Sequence, residues 1–140
     1  MPYEILDHVA DAGVRGIGRT VDEAFAEAAR GTFALMGDLD RIEPKTAVTL
    51  EVEADSLESL LVEWLGELLR ERDVQGMLFS RFETRITARG QRWHLIGQAW
   101  GEPIDRRRHR LGVEVKAATY AGVRVKPTHD GWMAQCVVDL

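Results

Sequence analysis

The sequence holds a single cysteine, Cys136, in 140 residues, which excludes an intramolecular disulfide and any multi-cysteine zinc knuckle and points to a reducing compartment. It has no charged-then-apolar leader and no apolar run near the roughly 20 residues that a membrane span needs. A cytoplasmic protein without membrane contact is expected. Excess positive charge is missing too: 18 Lys and Arg against 23 Asp and Glu give a formal net charge of -5. Bulk electrostatic binding of RNA or DNA needs a basic face that neutralises phosphates, so any RNA contact is expected to be indirect or weak. There is no linker, internal repeat or low-complexity segment, and residues 1–140 are expected to form one domain.

Several catalytic signatures are absent as well. There is no G-x-S-x-G elbow, no H-E-x-x-H helix and no EF-hand loop, and the standard hydrolase and zinc-protease readings lose their support. Gly13, Gly16 and Gly18 run opposite to the G-x-G-x-x-G spacing and lack a following Lys-Ser/Thr, so they predict close backbone packing and not a phosphate loop. Cys136 sits in an alternating strand and reads as a small buried hydrophobe. His94 and His129 read as a strand-face and a turn residue.

What is present is a 45% hydrophobic chain with clear periodicity. A first strand and the turn that ends it span Tyr3 to Asp11, followed at once by Ala12 and Gly13, and Val14 to Gly18 reads as a second strand paired with the first. Thr20-Val-Asp-Glu23 is a capping box that starts a helix at Val21, with Gly37 as its left-handed stop. Lys45 to Glu53 alternates as a half-buried strand. Asp55 or Ser56 caps a second helix carrying Leu57, Leu60, Leu61, Trp64, Leu65 and Leu68 on one face, and Gly66 within it implies a close backbone neighbour. Met77 to Trp100 predicts a long hairpin turning at Arg89-Gly90, with a ladder that breaks at Gly101 to Asp105. Strand alternation resumes at Val113 to Tyr120, and Val123 to Val125, the His129 to Gly131 turn and Trp132 to Val138 close the chain. The expected class is α+β, a mixed sheet of about seven strands with two long helices packed on it.

The chemistry concentrates at the two ends. Asp7, His8 and Asp11 flank the first turn, and Asp139 followed by Leu140 ends the last strand. If those ends meet, they form an anionic pocket lined by oxygen atoms.

Five stretches in this order, Leu6-Asp-His-Val-Ala-Asp-Ala-Gly-Val14, Leu78-Phe-Ser-Arg-Phe82, Gly101-Glu-Pro-Ile-Asp105 with His109, Glu114-Val-Lys-Ala-Ala-Thr-Tyr120 and Val137-Val-Asp-Leu140, together resemble the archease family. The resemblance implies a non-enzymatic activator of the RtcB-type RNA ligase, promoting GTP-dependent guanylylation of the ligase and its multiple turnover in tRNA splicing or RNA repair. The runner-up is a chaperone-like modulator of a tRNA methyltransferase. By position, the family's metal site falls on Asp11, Asp139 and the main-chain or terminal oxygens of Leu140, with His8, His109 and Lys116 around it. Ligation by oxygen alone suits Ca²⁺ first, with Mg²⁺ or Mn²⁺ as alternatives.

Two departures bear on the partner surface. Val9 stands where the family usually has Thr, and Arg107 and Arg110 stand where it usually carries acidic residues. The Arg106 to Arg110 loop is therefore basic, suited to RNA phosphate or to an acidic patch on the ligase. Charge runs on loops are most often solvated, and these arginines are not placed among the site residues. An enzyme using metal-activated water with His8 or His109 as base, and a general holdase, are the competing classes.

Overall fold

In a computed structural model, residues 2–6 and 11–140 are described. The elements run β1 (Tyr3–Leu6), β2 (Asp11–Gly18), α1 (Val21–Met36), a 3-10 turn (Leu39–Arg41), β3 (Thr46–Ala54), α2 (Leu57–Gln75), β4 (Met77–Arg89), β5 (Arg92–Pro103), β6 (Ala117–Pro127) and β7 (Trp132–Asp139). Among the described residues, seven strands and two long helices agree with the α+β expectation. The single mixed sheet does not form: the strands divide into two antiparallel sheets, of order β1-β2-β7-β6 and β3-β5-β4. The reason is visible in the crossover. Helix α2 carries the chain from β3 to β4, leaving those strands parallel to each other. Strand β5 then inserts between them, antiparallel to both, and two antiparallel ladders replace one parallel pair.

Both helices pack on both sheets, α1 against β2, β7 and β4, and α2 against β6, β3 and β5. This explains why α1 buries more than one stripe, from Ala24 and Phe25 through Phe33 to Met36. Phe33 meets Phe79 edge-on at 5.5 Å and Phe82 at 5.4 Å between ring centroids. Trp64 of α2 is fully buried and its indole N–H donates to the Phe25 carbonyl at 3.1 Å, tying the two helices together. No helix among the described residues is long and apolar enough to cross a membrane.

The local signals explain most boundaries. Thr20 Oγ1 accepts from the Glu23 amide at 3.1 Å, while the Glu23 carboxylate accepts from the amide of Arg19, one residue before the cap. Ser56, of the two candidates, caps α2 by accepting from the Ser59 amide. Gly76, at φ 64°, ends α2 in the left-handed conformation. Gly37 does not do this for α1; its φ of -170° is ordinary extended backbone.

Three further expectations are corrected. Asp11, Ala12 and Gly13 lie inside β2, which pairs along its whole length with β7, so the second strand begins at Asp11 and not at Val14. The β4–β5 ladder continues through Gly101 to Pro103, where a register shift between Phe79 and Arg81 absorbs the irregularity. Val113 to Lys116 belong to the connection before β6: the Val113 amide bonds to Leu35 of α1, and only at Lys116 does an amide reach β7, on the Asp139 carbonyl.

The glycines divide by environment. A Cβ at Gly16 would overlap the Ala24 carbonyl and the Ala28 amide, which is the backbone contact that lets β2 lie directly on α1. A Cβ at Gly66 would meet nothing within 4 Å, so the expected close backbone neighbour is not there. Helix propensity alone then governs Gly66. Gly66→Ala should raise the unfolding free energy by about 1 kcal/mol, and Gly16→Ala should lower it by about 3 kcal/mol, both read by urea denaturation. A destabilised Gly66→Ala would contradict this account of α2.

Candidate functional site

The register of β2 on β7 brings the two ends of the chain together. Asp11 stands directly opposite Asp139, in the last pair of a ladder that runs from Gly18 and Trp132. Directly opposed residues on neighbouring antiparallel strands project to the same side, with Cβ atoms about 4.5–5.5 Å apart. That side is the outer face of the sheet, because the alternate residues Ala12, Val14, Cys136 and Val138 are buried in the core. Asp11 is half-buried and Asp139 exposed. Ala117 of β6 lies opposite Asp139 on its other side, so a small side chain borders the carboxylate pair.

The remaining expected site residues are distributed differently. Leu140 follows Asp139 directly, and its half-buried side chain packs on the core. The amide of Lys116 donates to the Asp139 carbonyl at 2.8 Å, which fastens the start of β6 to the site. Lys116 also lines a cleft against α2 with Val62, Gly66 and Leu69. His8, with Asp7, lies outside the described residues. Among the described residues no group of three or more His, Cys, Asp or Glu side chains is placed to hold a metal.

His109 belongs to a second cluster, centred on Glu102. The His109 ring is fully buried; its Nε2 lies 2.9 Å from Glu102 Oε2 and its Nδ1 accepts from the Asp105 amide at 2.9 Å. With Nδ1 an acceptor, the proton sits on Nε2 and is donated to Glu102. Glu102 also accepts from the Glu43 amide at 2.8 Å and from the Arg108 guanidinium. Burial pushes this carboxyl upward, but the Glu43 amide, His109 and Arg108 together outweigh it and hold its pKa at about 2. Glu102 is therefore an ionised group under ordinary conditions.

This cluster fixes the connection between β5 and β6, residues 104–116. Asp105 Oδ1 accepts from the amides of Arg107 and Arg108, and the Asp38 amide donates to the His109 carbonyl. Arg72, buried in α2, donates to the Val115 carbonyl at 2.7 Å and reaches the Met36 sulfur. Glu102 and Arg72 escape a reading of the sequence. A Glu placed after Gly at the end of a strand, seven residues before a His, was the available signal for Glu102; the apolar helix face gave none for Arg72. Cys136 is buried, and its thiol is pushed up to about 11 by burial, only partly offset by the hydrogen bond its Sγ–H gives the Thr119 carbonyl. It is no nucleophile at neutral pH.

Residues 3–140 match the Archease protein family (MTH1598/TM1083). Protein archease of Methanopyrus kandleri is 41% identical over 140 residues, spanning 100% of both chains, and that of Pyrococcus furiosus is 40% identical over 99% of this chain and 98% of the relative. The solution structure of protein 1598 from Methanobacterium thermoautotrophicum superposes with a TM-score of 0.88 at 32% identity, covering 99% of each chain. The crystal structure of a Thermotoga maritima archease, described there as a possible chaperone, shares the fold with a TM-score of 0.59 at 18% identity over 96% of this chain and 94% of that one.

The Glu102 cluster sets an acid limit on stability. A carboxyl whose pKa falls from 4.5 in the unfolded chain to about 2 in the fold contributes its full stabilisation above pH 4.5. That contribution is lost as the pH drops through about 2. Unfolding free energy should decline across this window, and Glu102→Gln should be destabilised by about 3 kcal/mol at pH 7 with a flatter acid slope. Chemical denaturation at several pH values checks both; an unchanged slope in Glu102→Gln would contradict the assignment.

Proposed function

Because the chain belongs to the archease family, we propose that it is a non-enzymatic activator of an RtcB-type RNA ligase, promoting the ligase's GTP-dependent guanylylation and multiple turnover in tRNA splicing or RNA repair. The observation that carries the site is the register pairing of Asp11 with Asp139. Two carboxylates projecting to one side at an accessible sheet end set oxygen donors close enough to share one divalent cation.

The donor set fits a hard divalent cation. Asp11, Asp139 and a main-chain oxygen of Leu140 would hold it, with Ca²⁺ favoured and Mg²⁺ or Mn²⁺ as alternatives, because all the donors are oxygen. Two side chains fill only a small part of a six- to eight-oxygen shell, leaving positions for water or for a partner's groups. When bound, the cation supplies positive charge at the tip of the sheet, where a phosphate or carboxylate of the ligase's own centre can meet it. The protein's residues do the positioning: the β2–β7 ladder aligns the carboxylates, and the Lys116 amide on the Asp139 carbonyl holds β6 beside them.

The assignment of chemistry to the partner has two supports. His109, a candidate base, has both ring nitrogens engaged and is sealed from solvent. The one thiol is buried and held protonated. Action in the cytoplasm, alongside the ligase, is part of the same reading.

The test is multiple-turnover RNA ligation by the cognate ligase with GTP and Mn²⁺, with wild-type protein, with Asp139→Ala and with an inert control. Wild type should accelerate turnover, and Asp139→Ala should fall to the unassisted rate. Equal stimulation by both would move the activating surface elsewhere on the molecule. Absence of stimulation by either would defeat the activator reading and leave the methyltransferase modulator to be tried.

A further inference from the structure

We propose that the 104–116 connection is the face on which the protein partner docks, and that it receives a segment whose aliphatic side chain is flanked by carboxylates. The inference rests on the activator reading and specifies where its partner binds.

The first observation is exposed aliphatic surface concentrated on one short piece of chain. Ile104 is 40% exposed, Leu111 40% and Val113 46%. They border a cleft of about 320 Å³ that Met36 and Leu78 also line, together with Arg106, Glu114 and the paired Arg72 and Asp73. Isolated exposed aliphatics need no explanation, but three around one concavity mark a binding surface.

The second observation is that this surface is held in place. Ile104 N donates to Gly76 O at 3.0 Å, Gly112 N to Met36 O at 2.9 Å and Val113 N to Leu35 O at 3.0 Å. The Glu102–His109 pair anchors the middle, and Arg72 on Val115 anchors the end. A connection much longer than the usual 4–6 or so residues is thereby fixed before any partner arrives. Little ordering entropy remains to oppose docking.

The third observation is charge. Elsewhere on the protein most arginines, Arg30, Arg41, Arg70, Arg81, Arg89 and Arg92 among them, are paired with a carboxylate, and Arg19, Arg85 and Arg124, which show no such pair among the described residues, are scattered along the chain and not clustered in one loop. Arg108 is taken by Glu102. Arg106, Arg107 and Arg110, in a chain of net charge -5, carry no ion pair among the described residues. Three uncommitted guanidiniums beside an aliphatic cleft have the composition of a protein interface, where arginine and apolar side chains are enriched together. An RNA backbone would satisfy the arginines but leave Ile104, Leu111 and Val113 facing solvent, and it would be repelled by the rest of the surface. The chemistry therefore favours a protein carrying carboxylates around an apolar residue. The same connection runs on to Lys116, whose amide is bonded to Asp139, so docking here would deliver the carboxylate pair to the partner.

The experiment measures ligase affinity and ligase stimulation together. Three variants are compared with wild type: Ile104→Ser with Leu111→Ser; Arg106→Ala with Arg107→Ala and Arg110→Ala; and, as a charge-matched control, Arg70→Ala with Arg81→Ala and Arg89→Ala. Circular dichroism melts confirm folding, since every substituted side chain is substantially exposed. The first two should raise Kd and the half-saturating concentration about tenfold or more yet reach the wild-type maximum when saturating. The control should stay close to wild type, and salt should weaken wild-type binding more than that of the arginine variant. Wild-type affinity in both site variants would overturn the proposal. So would RNA binding by the protein alone that is lost in the arginine variant while ligase affinity is kept. Binding without stimulation by the wild type contradicts only the activator reading, and the variants' Kd values then decide the docking face; a wild type that does neither overturns both.

Discussion

The pairing of β2 with β7 is the constraint on which the rest of the molecule depends. It joins residues more than a hundred positions apart, as the Arg15 contact with Gln135 records, so it closes a loop that holds both helices and the long hairpin. Non-local pairings of this kind are entropically expensive and are secured by what they bury. Here Val14, Ala134, Cys136 and Val138 become fully inaccessible on the inner face, with Gly16 pressed against the α1 backbone. The outer face of the same ladder ends in the Asp11–Asp139 pair. One register thus sets both the core and the carboxylates, and a slip of a single residue would separate the acids and turn the apolar set outward.

A second, smaller constraint shapes the neighbouring surface. Glu102 is buried with donors on every side: a main-chain amide, an imidazole and a guanidinium. A buried carboxylate persists only when so satisfied, and satisfying it folds residues 104–110 back over the end of β5. The arginines that are not consumed in this way face outward. Burial at Glu102 and exposure at Arg106, Arg107 and Arg110 are two results of one turn.

How much of this was legible beforehand depends on range. The helices were readable because their signals are local: the Thr20 box, the Ser56 cap and the leucines and Trp64 of α2. That the two ends of the chain meet stood only as a condition in the sequence, and the β2–β7 ladder supplies it by setting Asp11 opposite Asp139. Sheet membership was not readable, since the insertion of β5 between β3 and β4 is a tertiary choice that strand periodicity does not encode. Gly66 misled because a glycine in a helix has two explanations, close approach or mere tolerance, and only the surroundings distinguish them. His109 was grouped with the carboxylates on the resemblance; its ring instead serves Glu102, whose role depends on burial that no spacing reveals. Asp7 and His8 lie outside the described residues.

The central claim is that Asp11 and Asp139 are opposed in order to receive a divalent cation. The most direct measurement is a thermal melt of the metal-free protein and of Asp139→Asn across titrations of Ca²⁺, Mg²⁺ and Mn²⁺. The wild type should gain stability, by about 2.7 kcal/mol once the cation reaches about 100 times its Kd. Asp139→Asn, which lacks one of the two carboxylates, should gain nothing. An identical rise in both proteins, or no rise in the wild type with any of the three cations, would contradict the claim.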